Sequence, residues 1–460
     1  MKKILIIASC LLFHSLHVCA EEKPFQNDID FARKAIKDGF YDLAEGKLNY
    51  LLVTDIPREV EIEVHILLGR IFYEKLMPIQ ALTEFNLILD RYRDSDYASA
   101  AAYWIAEVYF REENFEQALS YYNMIITSYP SSEFIAYAYY SQAWCYYEMG
   151  EYPAALDAFR EVSRIFPDDE LAVKAKYKVS EIMYKTALYP EAIRELGSFI
   201  KNYPVNEQIF DAYYMIGDSF YKLEDFNAAV ENLTRSLQCG KDEPWRPVAA
   251  YKLARSCFQT GRIELSEQYF EQVLAETDAP DITSAAIMGI ALIHSKKNDF
   301  EKTSAAYRKI INDIPRNEWT DDAYYWLGQC LYKYNDFEEA AEVYNKALYE
   351  FPNGPFSDKM HYNLAWAYIG IGREDDALRE FDLTVELSDD ENLVVSSLFA
   401  IGDILQNKEK NSEAVDVYDR VLREFPKSIL ADREHYDVVK LHKNMATKNA
   451  AILAFQSLIV

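Results

Sequence analysis

The chain repeats itself with a period of 37 residues, and this period limits what it can fold into. One position of the repeat is alanine in ten of twelve occurrences and serine or threonine in the other two, with no insertion or deletion between them. These packing residues are Ala44, Ala81, Ala118, Ala155, Ala192, Ala229, Ser266, Thr303, Ala340, Ala377, Ala414 and Ala451. Periods of about 20 to 50 residues are typical of solenoids and related arrays, in which each repeat contacts only its neighbours.

We number repeat positions from the packing residue, which is position 0. Position +4 is always large and apolar or aromatic, as in Phe85 and Tyr122, whereas position −12 is small in eleven of the twelve repeats. Apolar residues recur three and four apart on either side of a short break, which predicts two amphipathic helices per repeat. The large residue is expected to fill the space between two helices that approach closely at the small residues.

Six repeats carry proline at position +12, for example Pro130 and Pro352. Proline ends a helix, because it lacks an N–H group and clashes with the preceding turn. Residues suited to capping the next helix follow two positions later. They are Ser132, Asp169, Asn206, Asn317 and Ser428. One helix hairpin cannot bury its apolar face alone, so the sequence predicts a stacked all-α array.

Residues 325–352 show the pattern most completely, with Tyr325, Trp326, Leu327, Gly328, Phe337, Ala340, Tyr344 and Pro352. This pattern resembles the tetratricopeptide repeat, and the resemblance extends over residues 25–460 as eleven complete repeats and a partial twelfth. It implies an all-α, right-handed superhelical solenoid of antiparallel helix pairs. The familiar repeat has about 34 residues. The three additional residues follow the proline, where we expect them to lengthen the first helix by nearly one turn.

The longer repeat is similar to those of two kinds of bacterial envelope protein, the helper of the Tol–Pal system and the lipoprotein of the outer-membrane β-barrel assembly machinery. Both are shorter than this chain. One usually carries an N-terminal coiled coil and the other a lipoprotein cleavage box, and neither feature is convincing here. The resemblance therefore implies an envelope role without implying the specific role of either protein.

The N-terminus predicts a signal peptide over residues 1–20. Lys2 and Lys3 precede an apolar run that ends with small residues before Glu21, and the run is too short for a transmembrane anchor. We expect cleavage after Ala20 and a periplasmic or outer-membrane-associated protein. Lipoprotein cleavage before Cys10 or Cys19 is a weaker alternative, because the residues around both cysteines fit that motif poorly. No other apolar run is long enough to span a bilayer.

Two solenoid domains are expected after the signal peptide, residues 21–246 with repeats 1 to 6 and residues 247–460 with repeats 7 to 12. Pro244, Trp245, Arg246 and Pro247 interrupt the joint between them, and Lys241 replaces the usual proline there. This interruption predicts a bend. The chain ends on the apolar sequence AILAFQSLIV. Terminal repeats usually need a polar outer face, so this end is expected to contact a partner or a second copy, forming a homo-oligomer, or to continue in a longer product.

The net charge of −27 excludes nucleic acid and anionic lipid surfaces as expected partners, since both need a basic footprint. Removal of residues 1–20 takes away Lys2 and Lys3 and no acid, so the charge becomes −27 − 2 = −29. Such a charge favours basic protein or peptide partners.

Enzyme and cofactor motifs are missing from the sequence. It contains no GxxxxGK[ST], GxGxxG, HExxH or GxSxG string, and we predict neither a catalytic nor a cofactor role. The histidines, for example His65 and His361, fall on first-helix packing positions and predict no metal site. Cys145, Cys239, Cys257 and Cys330 are too widely spaced for a redox or zinc motif. They are interpreted as buried thiols, with Cys239 and Cys257 close enough in sequence to test for a disulfide.

The candidate binding residues occupy three positions of the first helix, at −15, −11 and −8. Positions −15 and −8 are mostly tyrosine and lie seven residues apart, hence on one face of the helix. Position −11, between them, is chemically varied. The candidates are Tyr103, Glu107, Phe110, Tyr140, Trp144, Tyr147, Tyr177, Glu181, Tyr184, Tyr214, Asp218, Tyr221, Tyr251, Arg255, Tyr325, Gln329, Tyr332, Tyr362 and Trp366.

The resemblance implies that first helices line a concave groove, and a groove with regular aromatic residues and varied polar ones suits selective binding. The sequence therefore predicts an exported scaffold that binds a peptide or protein partner. A glycan or peptidoglycan binder that stacks sugars on the aromatic residues is the alternative. A third interpretation is that the tyrosines only pack against neighbouring repeats.

Overall fold

The computed structural model describes residues 25–240 and 244–425. The signal peptide and its cleavage site, Lys241, the partial twelfth repeat and the apolar C-terminal sequence lie outside the described residues. The described part is all-α: 22 helices in consecutive pairs and no strand. The helices are α1 (Gln26–Lys37), α2 (Tyr41–Leu52), α3 (Arg58–Glu74), α4 (Pro78–Arg91), α5 (Ala98–Arg111), α6 (Phe115–Ser128), α7 (Ile135–Glu148), α8 (Tyr152–Ile165), α9 (Glu170–Lys185), α10 (Tyr189–Asn202), α11 (Ile209–Lys222), α12 (Phe226–Cys239), α13 (Arg246–Gln259), α14 (Ile263–Glu276), α15 (Pro280–Lys296), α16 (Phe300–Asp313), α17 (Trp319–Lys333), α18 (Phe337–Glu350), α19 (Ser357–Gly370), α20 (Glu374–Leu387), α21 (Glu391–Asn407) and α22 (Asn411–Glu424). Odd-numbered helices are the first helices of their repeats and even-numbered helices the second, so the predicted helix pairs are confirmed.

The chain divides within α11, between Ser219 and Phe220, into two compact bodies. Within the first body α3 packs on α4 and α5, and within the second body α13 packs on α14 and α15. Each repeat thus contacts the repeats beside it, which is the arrangement of a solenoid.

The core of each repeat is the contact between the packing residue, the residue at position +4 and the small residue at position −12. Ala118 and Tyr122 are fully buried, as the sequence predicts. Ser266 and Thr303 are buried too, and their hydroxyls donate to the carbonyls of Ala254 and Asp299, each at 2.7 Å. A serine or threonine therefore replaces alanine here without leaving an unpaired polar group.

Where position −12 is glycine and position +4 is aromatic, the ring leaves no room for a Cβ atom. A Cβ atom added to Gly69 would lie 2.4 Å from Cε1 of the Phe85 ring, and one added to Gly328 would lie 2.4 Å from Cε1 of the Tyr344 ring. No non-bonded carbon pair tolerates that distance, so in these two repeats the ring at position +4 occupies the space that a side chain at position −12 would need.

The turn between the two helices of a repeat contains one left-handed residue, at position −5, in all eleven described repeats. Four of these residues are glycine and seven are not, although a positive φ is unfavourable for residues with a Cβ. They are Gly39, Leu76, Glu113, Gly150, Ala187, Glu224, Gly261, Asn298, Asn335, Gly372 and Glu409. The next N–H donates to the carbonyl five residues earlier, for example Leu188 to Met183 at 2.9 Å, as in a Schellman motif.

The residue after this turn starts the second helix. Asn114, Asp225, Asp299 and Asp336 each accept the backbone N–H three residues later through their side chains, which satisfies one of the unpaired donors at a helix start. The left-handed turn residue and the capping residue after it thus end the first helix and begin the second. The angle between the two helices depends on them.

At the other end of the repeat, the second helix stops two residues before the proline: α6 ends at Ser128 and Pro130 follows. Ser132, Asp169, Asn206 and Asn317 accept the N–H two residues later at 2.8 to 3.0 Å, and Ser428 lies outside the described residues. The longer first helix is found in α3, α15 and α21, with 17 residues each. In α5 and α7, with 14 residues each, the expectation is wrong, because the additional residues lie in the connection before the helix.

Substituting Gly69 by alanine should lower the free energy of unfolding by about 1 to 3 kcal/mol, because the new Cβ overlaps the Phe85 ring. Gly197→Ala is the control, since no atom lies within 4 Å of its Cβ position on α10. That change should be neutral or stabilise by up to about 1 kcal/mol. Urea unfolding followed by circular dichroism measures both, and equal effects would contradict the packing explanation.

At the left-handed turn, Ala187→Gly should raise the free energy of unfolding by roughly 0.5 to 1 kcal/mol, since φ is 60° there. The reciprocal change Gly150→Ala, at the same position of the preceding repeat with φ of 78° and no atom within 4 Å of the Cβ, should destabilise by a similar amount. Thermal denaturation of the two variants tests the opposite signs. A change of the same sign in both would show that the turn carries no conformational cost.

Candidate functional site

All nineteen candidate residues lie on first helices, and in each body we call the surface that its candidates form the first-helix face of that body. Tyr103, Glu107, Tyr140 and Asp218 are buried, and Arg255 is exposed. The remaining fourteen are partly exposed: Phe110, Trp144, Tyr147, Tyr177, Glu181, Tyr184, Tyr214, Tyr221, Tyr251, Tyr325, Gln329, Tyr332, Tyr362 and Trp366. Candidates up to Asp218 belong to the first body and those from Tyr221 onward to the second. Their role in binding stays a prediction.

The tyrosines at position −15 pack on the second helix of their own repeat. The ring centroids of Tyr140 and Phe159 are 5.5 Å apart, and those of Tyr362 and Phe381 are 5.7 Å apart. Both pairs meet at steep interplanar angles, the edge-to-face geometry that aromatic pairs prefer. These tyrosines hold the two helices together, so they position the face whether or not they touch a ligand.

The rings at position −8 pack against an aromatic residue that opens the second helix. Phe110 lies 5.4 Å from Phe115, and Tyr332 lies 5.2 Å from Phe337, between ring centroids. The contact recurs in the repeats of Tyr147, Tyr184 and Tyr221. One side of each ring is therefore used for packing, and the partly exposed remainder faces outward.

In two repeats the residue at position −11 accepts a hydrogen bond from a buried tyrosine at position +4. Tyr122 donates to Glu107 and Tyr418 to Asp403, each at 2.7 Å. Where position +4 is phenylalanine, position −11 can hold tryptophan, as in the pair of Phe159 and Trp144, whose centroids are 5.9 Å apart. A carboxylate at position −11 together with tyrosine at position +4 is the sequence signal for this pairing.

Glu107 and Asp218 were expected to offer carboxylates to a ligand, and the structure places both inside the repeat. Glu107 accepts from Tyr122 and, at 3.4 Å, from Ser141, while Asp218 accepts from the hydroxyl of Tyr184. Burial raises the pKa of Glu107, and the hydrogen bonds from tyrosine and serine act in the opposite direction without cancelling it. Glu107 therefore holds Tyr122 of the second helix in place, and Asp218 holds Tyr184 of the face.

Cations cover several of the aromatic rings. The Arg111 guanidinium lies 3.6 Å from the centroid of Tyr73, and the ammonium groups of Lys185 and Lys296 lie 4.7 and 4.3 Å from Tyr147 and Phe258. In each case a cation at position −7 covers the ring at position −8 of the preceding repeat, within cation–π range. Position −7 is not among the predicted binding positions, although its cations are unusual in so acidic a chain.

The second body has an open cavity of about 370 Å³ beside this face. Its walls include the candidates Gln329 and Tyr332, the half-exposed indole of Trp326, and Lys333. Tyr307 also lines it, and the position that would supply an acceptor for its hydroxyl holds Leu292. The cavity can therefore accept an apolar side chain that presents a polar group to Tyr307.

The histidines and the acidic clusters of the described residues have structural roles. His65 and His361 contact Glu84 and Glu380 through Nδ1, each at 2.6 Å, while His435 and His442 lie outside the described residues. Within residues 25–240 and 244–425, no three His, Cys, Asp or Glu side chains are grouped to hold a metal ion. The acidic clusters at 168–170 and 389–391 precede helices, where Asp169 and Asp390 are the caps.

The four cysteines of the described part are free thiols. Cys145 and Cys257 are buried and Cys330 is partly buried, but Cys239 is exposed, which contradicts its interpretation as a buried thiol. It is the last residue of α12, beyond the apolar stripe that the repeat buries. Of the described helices, none combines the length and apolar character that a bilayer span requires.

Comparison with protein families finds the tetratricopeptide repeat in four stretches of the sequence, residues 97–168, 214–281, 321–353 and 396–428. A family described as outer membrane lipoprotein matches residues 138–242. No curated protein matches the sequence of the chain.

Solved structures similar to this chain include the C-terminal part of a TPR repeat-containing protein from Cytophaga hutchinsonii. It is 14% identical and covers 56% of this chain and 98% of its own length, with a TM-score of 0.49. A tetratricopeptide repeat protein from Parabacteroides merdae is 13% identical and covers 58% of this chain and 98% of its own length, with a TM-score of 0.39.

Glu107→Gln should weaken the pH dependence of stability. Because burial raises the pKa of Glu107 above the ordinary value of about 4.3, the unfolded chain loses this proton first as pH rises. The contribution of Glu107 to the free energy of unfolding is therefore greatest below a pH of about 4.3. It falls as the pH rises above this, by at most about 1.4 kcal/mol per pH unit. Glutamine removes this loss while its carbonyl still accepts from Tyr122.

Tyr122→Phe is the opposing variant, since it removes a hydrogen bond that lowers the pKa of Glu107. It should make the fall in stability with rising pH extend further. Urea unfolding between pH 4 and pH 8 measures both variants against the unmodified protein. An identical pH dependence in all three would mean that Glu107 stays ionised inside the repeat.

Proposed function

Because this chain is a tetratricopeptide repeat protein, we propose that it is an exported scaffold that binds an extended segment of a protein partner along its first-helix face. Repeat arrays of this kind present extended surfaces to other proteins. The chemistry of this surface changes from one repeat to the next while the backbone repeats, which allows one segment to be distinguished from another.

The proposal rests on one observation: within each body, side chains of the first-helix face are fixed by packing and yet remain partly exposed. Tyr147 and Tyr332 are held by neighbouring rings yet remain partly exposed, and Gln329 and Arg255 provide different polar groups at position −11. Side chains fixed by packing lose little entropy when a ligand binds, so more of the contact energy appears as affinity.

Export and an envelope location are supported by two independent features. Residues 1–20 have the character of a secretory signal peptide, and the outer membrane lipoprotein family matches residues 138–242. We propose a mature protein that begins at Glu21 and resides in the periplasm or at the outer membrane, and a partner that is also an envelope protein.

Sugar stacking, the alternative, requires a free aromatic face. The rings of Tyr73, Tyr147 and Phe258 carry Arg111, Lys185 and Lys296 over them, and Lys178 lies 4.6 Å from the centroid of Trp144. A sugar would have to displace these cations. The cation-covered rings therefore favour a protein partner over a glycan.

A photoreactive amino acid at Gln329, on the first-helix face, should crosslink to a discrete envelope protein in intact cells. The matched control is Glu342, an exposed residue of the second helix α18, which should produce no such adduct. Mass spectrometry of the purified adduct identifies the partner and also reads the N-terminus of this protein, expected at Glu21. Equal adducts from both positions, or adducts with peptidoglycan alone, would refute binding of a protein at this face. A lipid-modified Cys10 or Cys19 would refute the cleavage site.

A further inference from the structure

In the second body, four successive first helices each carry an exposed cation on or beside the first-helix face. Lys222, Lys296 and Lys333 occupy position −7, and Arg255 lies one helical turn earlier, at position −11. We call these four residues the basic stripe. It is unexpected in a chain with 75 acidic and 48 basic residues.

None of the four forms an ion pair with a described residue, whereas two neighbouring cations that lie off this face do. Lys297, the neighbour of Lys296, reaches Glu267 at 2.6 Å, and Arg246 on α13 reaches Glu276 at 2.8 Å. Three acids close to the stripe in sequence, Asp225, Asp299 and Asp336, accept N–H groups at the starts of the second helices and form no ion pair with it. The charges of the stripe are therefore available to a ligand.

Aromatic rings hold parts of the stripe in place. The Lys296 ammonium lies 4.3 Å from the centroid of Phe258, and the Arg255 guanidinium lies 5.7 Å from that of Tyr221. A cation over a ring is attracted to it but keeps its charge. A second, anionic partner can therefore approach from the open side without breaking the first contact.

We propose that the basic stripe binds the carboxylates of an extended, acidic segment of a partner protein. Helices α13, α15 and α17 pack directly on one another in succession, and packed helices lie about 8 to 10 Å apart. An extended peptide advances about 3.3 Å per residue, so an acidic residue at every third position matches the stripe. This inference names the ligand of the proposed scaffold and rests on that function.

The cavity beside Lys333 adds a second requirement. Its walls combine Trp326, Tyr332 and Tyr307 with the amide of Gln329, and it adjoins the end of the stripe. A large apolar or aromatic side chain of the segment fits this space and would fix the register of the acidic residues. Carboxylates would then provide selectivity, and the buried side chain most of the affinity.

The test uses residues 21–460 and three fluorescently labelled peptides of twelve residues. Fluorescence anisotropy measures the affinity of each peptide. Each peptide has one tryptophan, with glutamate, glutamine or lysine at every third position. The glutamate peptide should bind about tenfold more tightly than the glutamine peptide, and the lysine peptide should bind most weakly.

Lys296→Glu combined with Lys333→Glu should weaken binding of the glutamate peptide by at least about tenfold, and arginine at both positions should restore it. The control pair, Lys302→Glu and Lys309→Glu, changes the net charge equally on α16, where both side chains are exposed, and should leave binding unchanged. Unaltered helical circular dichroism confirms that the variants fold.

Two results would overturn the inference while leaving the scaffold function intact. Equal affinity for the glutamate and glutamine peptides would remove the selectivity for carboxylates, and equal weakening by both charge reversals would reduce the effect to net charge. If the glutamate peptide does not bind at about 1 mM but soluble peptidoglycan fragments do, the ligand is a glycan. If the crosslinking at Gln329 then also finds no protein, the proposed function fails together with the inference.

Discussion

The structure depends on one contact, in which a large side chain at position +4 of the second helix fills the space above a small residue at position −12 of the first. Phe85 and Tyr122 are fully buried in this way, and each such side chain contributes about 1.5 to 3 kcal/mol by leaving water. The contact permits close approach of the two backbones, so it sets how far apart the helices of a repeat lie. Every surface of the repeat inherits its position from that distance.

The interior contact also determines part of the chemistry of the first-helix face. A tyrosine at position +4 brings a hydroxyl into the core, and in two repeats a carboxylate at position −11 of the same repeat accepts its hydrogen bond. Glu107 fulfils this role for Tyr122, and its pKa is raised because it is buried there. A carboxylate in that column can therefore be a structural group, and its presence in the sequence does not by itself indicate a ligand contact.

Periodicity predicted the helix pairs, the packing residues and the prolines that follow the second helices, because all three repeat with the same period and each has a simple steric reason. The left-handed turn residue was missed. Gly39, Gly150, Gly261 and Gly372 share position −5, but Leu76 and Ala187 at the same position hide the pattern, since the turn's hydrogen bonds impose a conformation that these residues do not prefer.

The burial of Glu107 was missed for a different reason. Helical periodicity places it on the face between Tyr103 and Phe110, and only the packing of the second helix reveals that Tyr122 reaches it. The exposure of Cys239 and the short first helices α5 and α7 are similar cases. They depend on where a helix ends or begins rather than on its apolar pattern.

The residue type can vary at positions that the packing within a repeat does not use. Position −7 is the clearest example. In the first body it alternates in charge through Glu74, Arg111, Glu148 and Lys185, whereas in the second body Lys222, Gln259, Lys296 and Lys333 include no acid. At physiological ionic strength charges are screened beyond about 8 Å. A segment lying on the second body therefore responds to the four cations beside it more than to the net charge of the whole chain. The overall acidity, which favours basic partners at the outer surface, is compatible with a basic stripe that selects carboxylates.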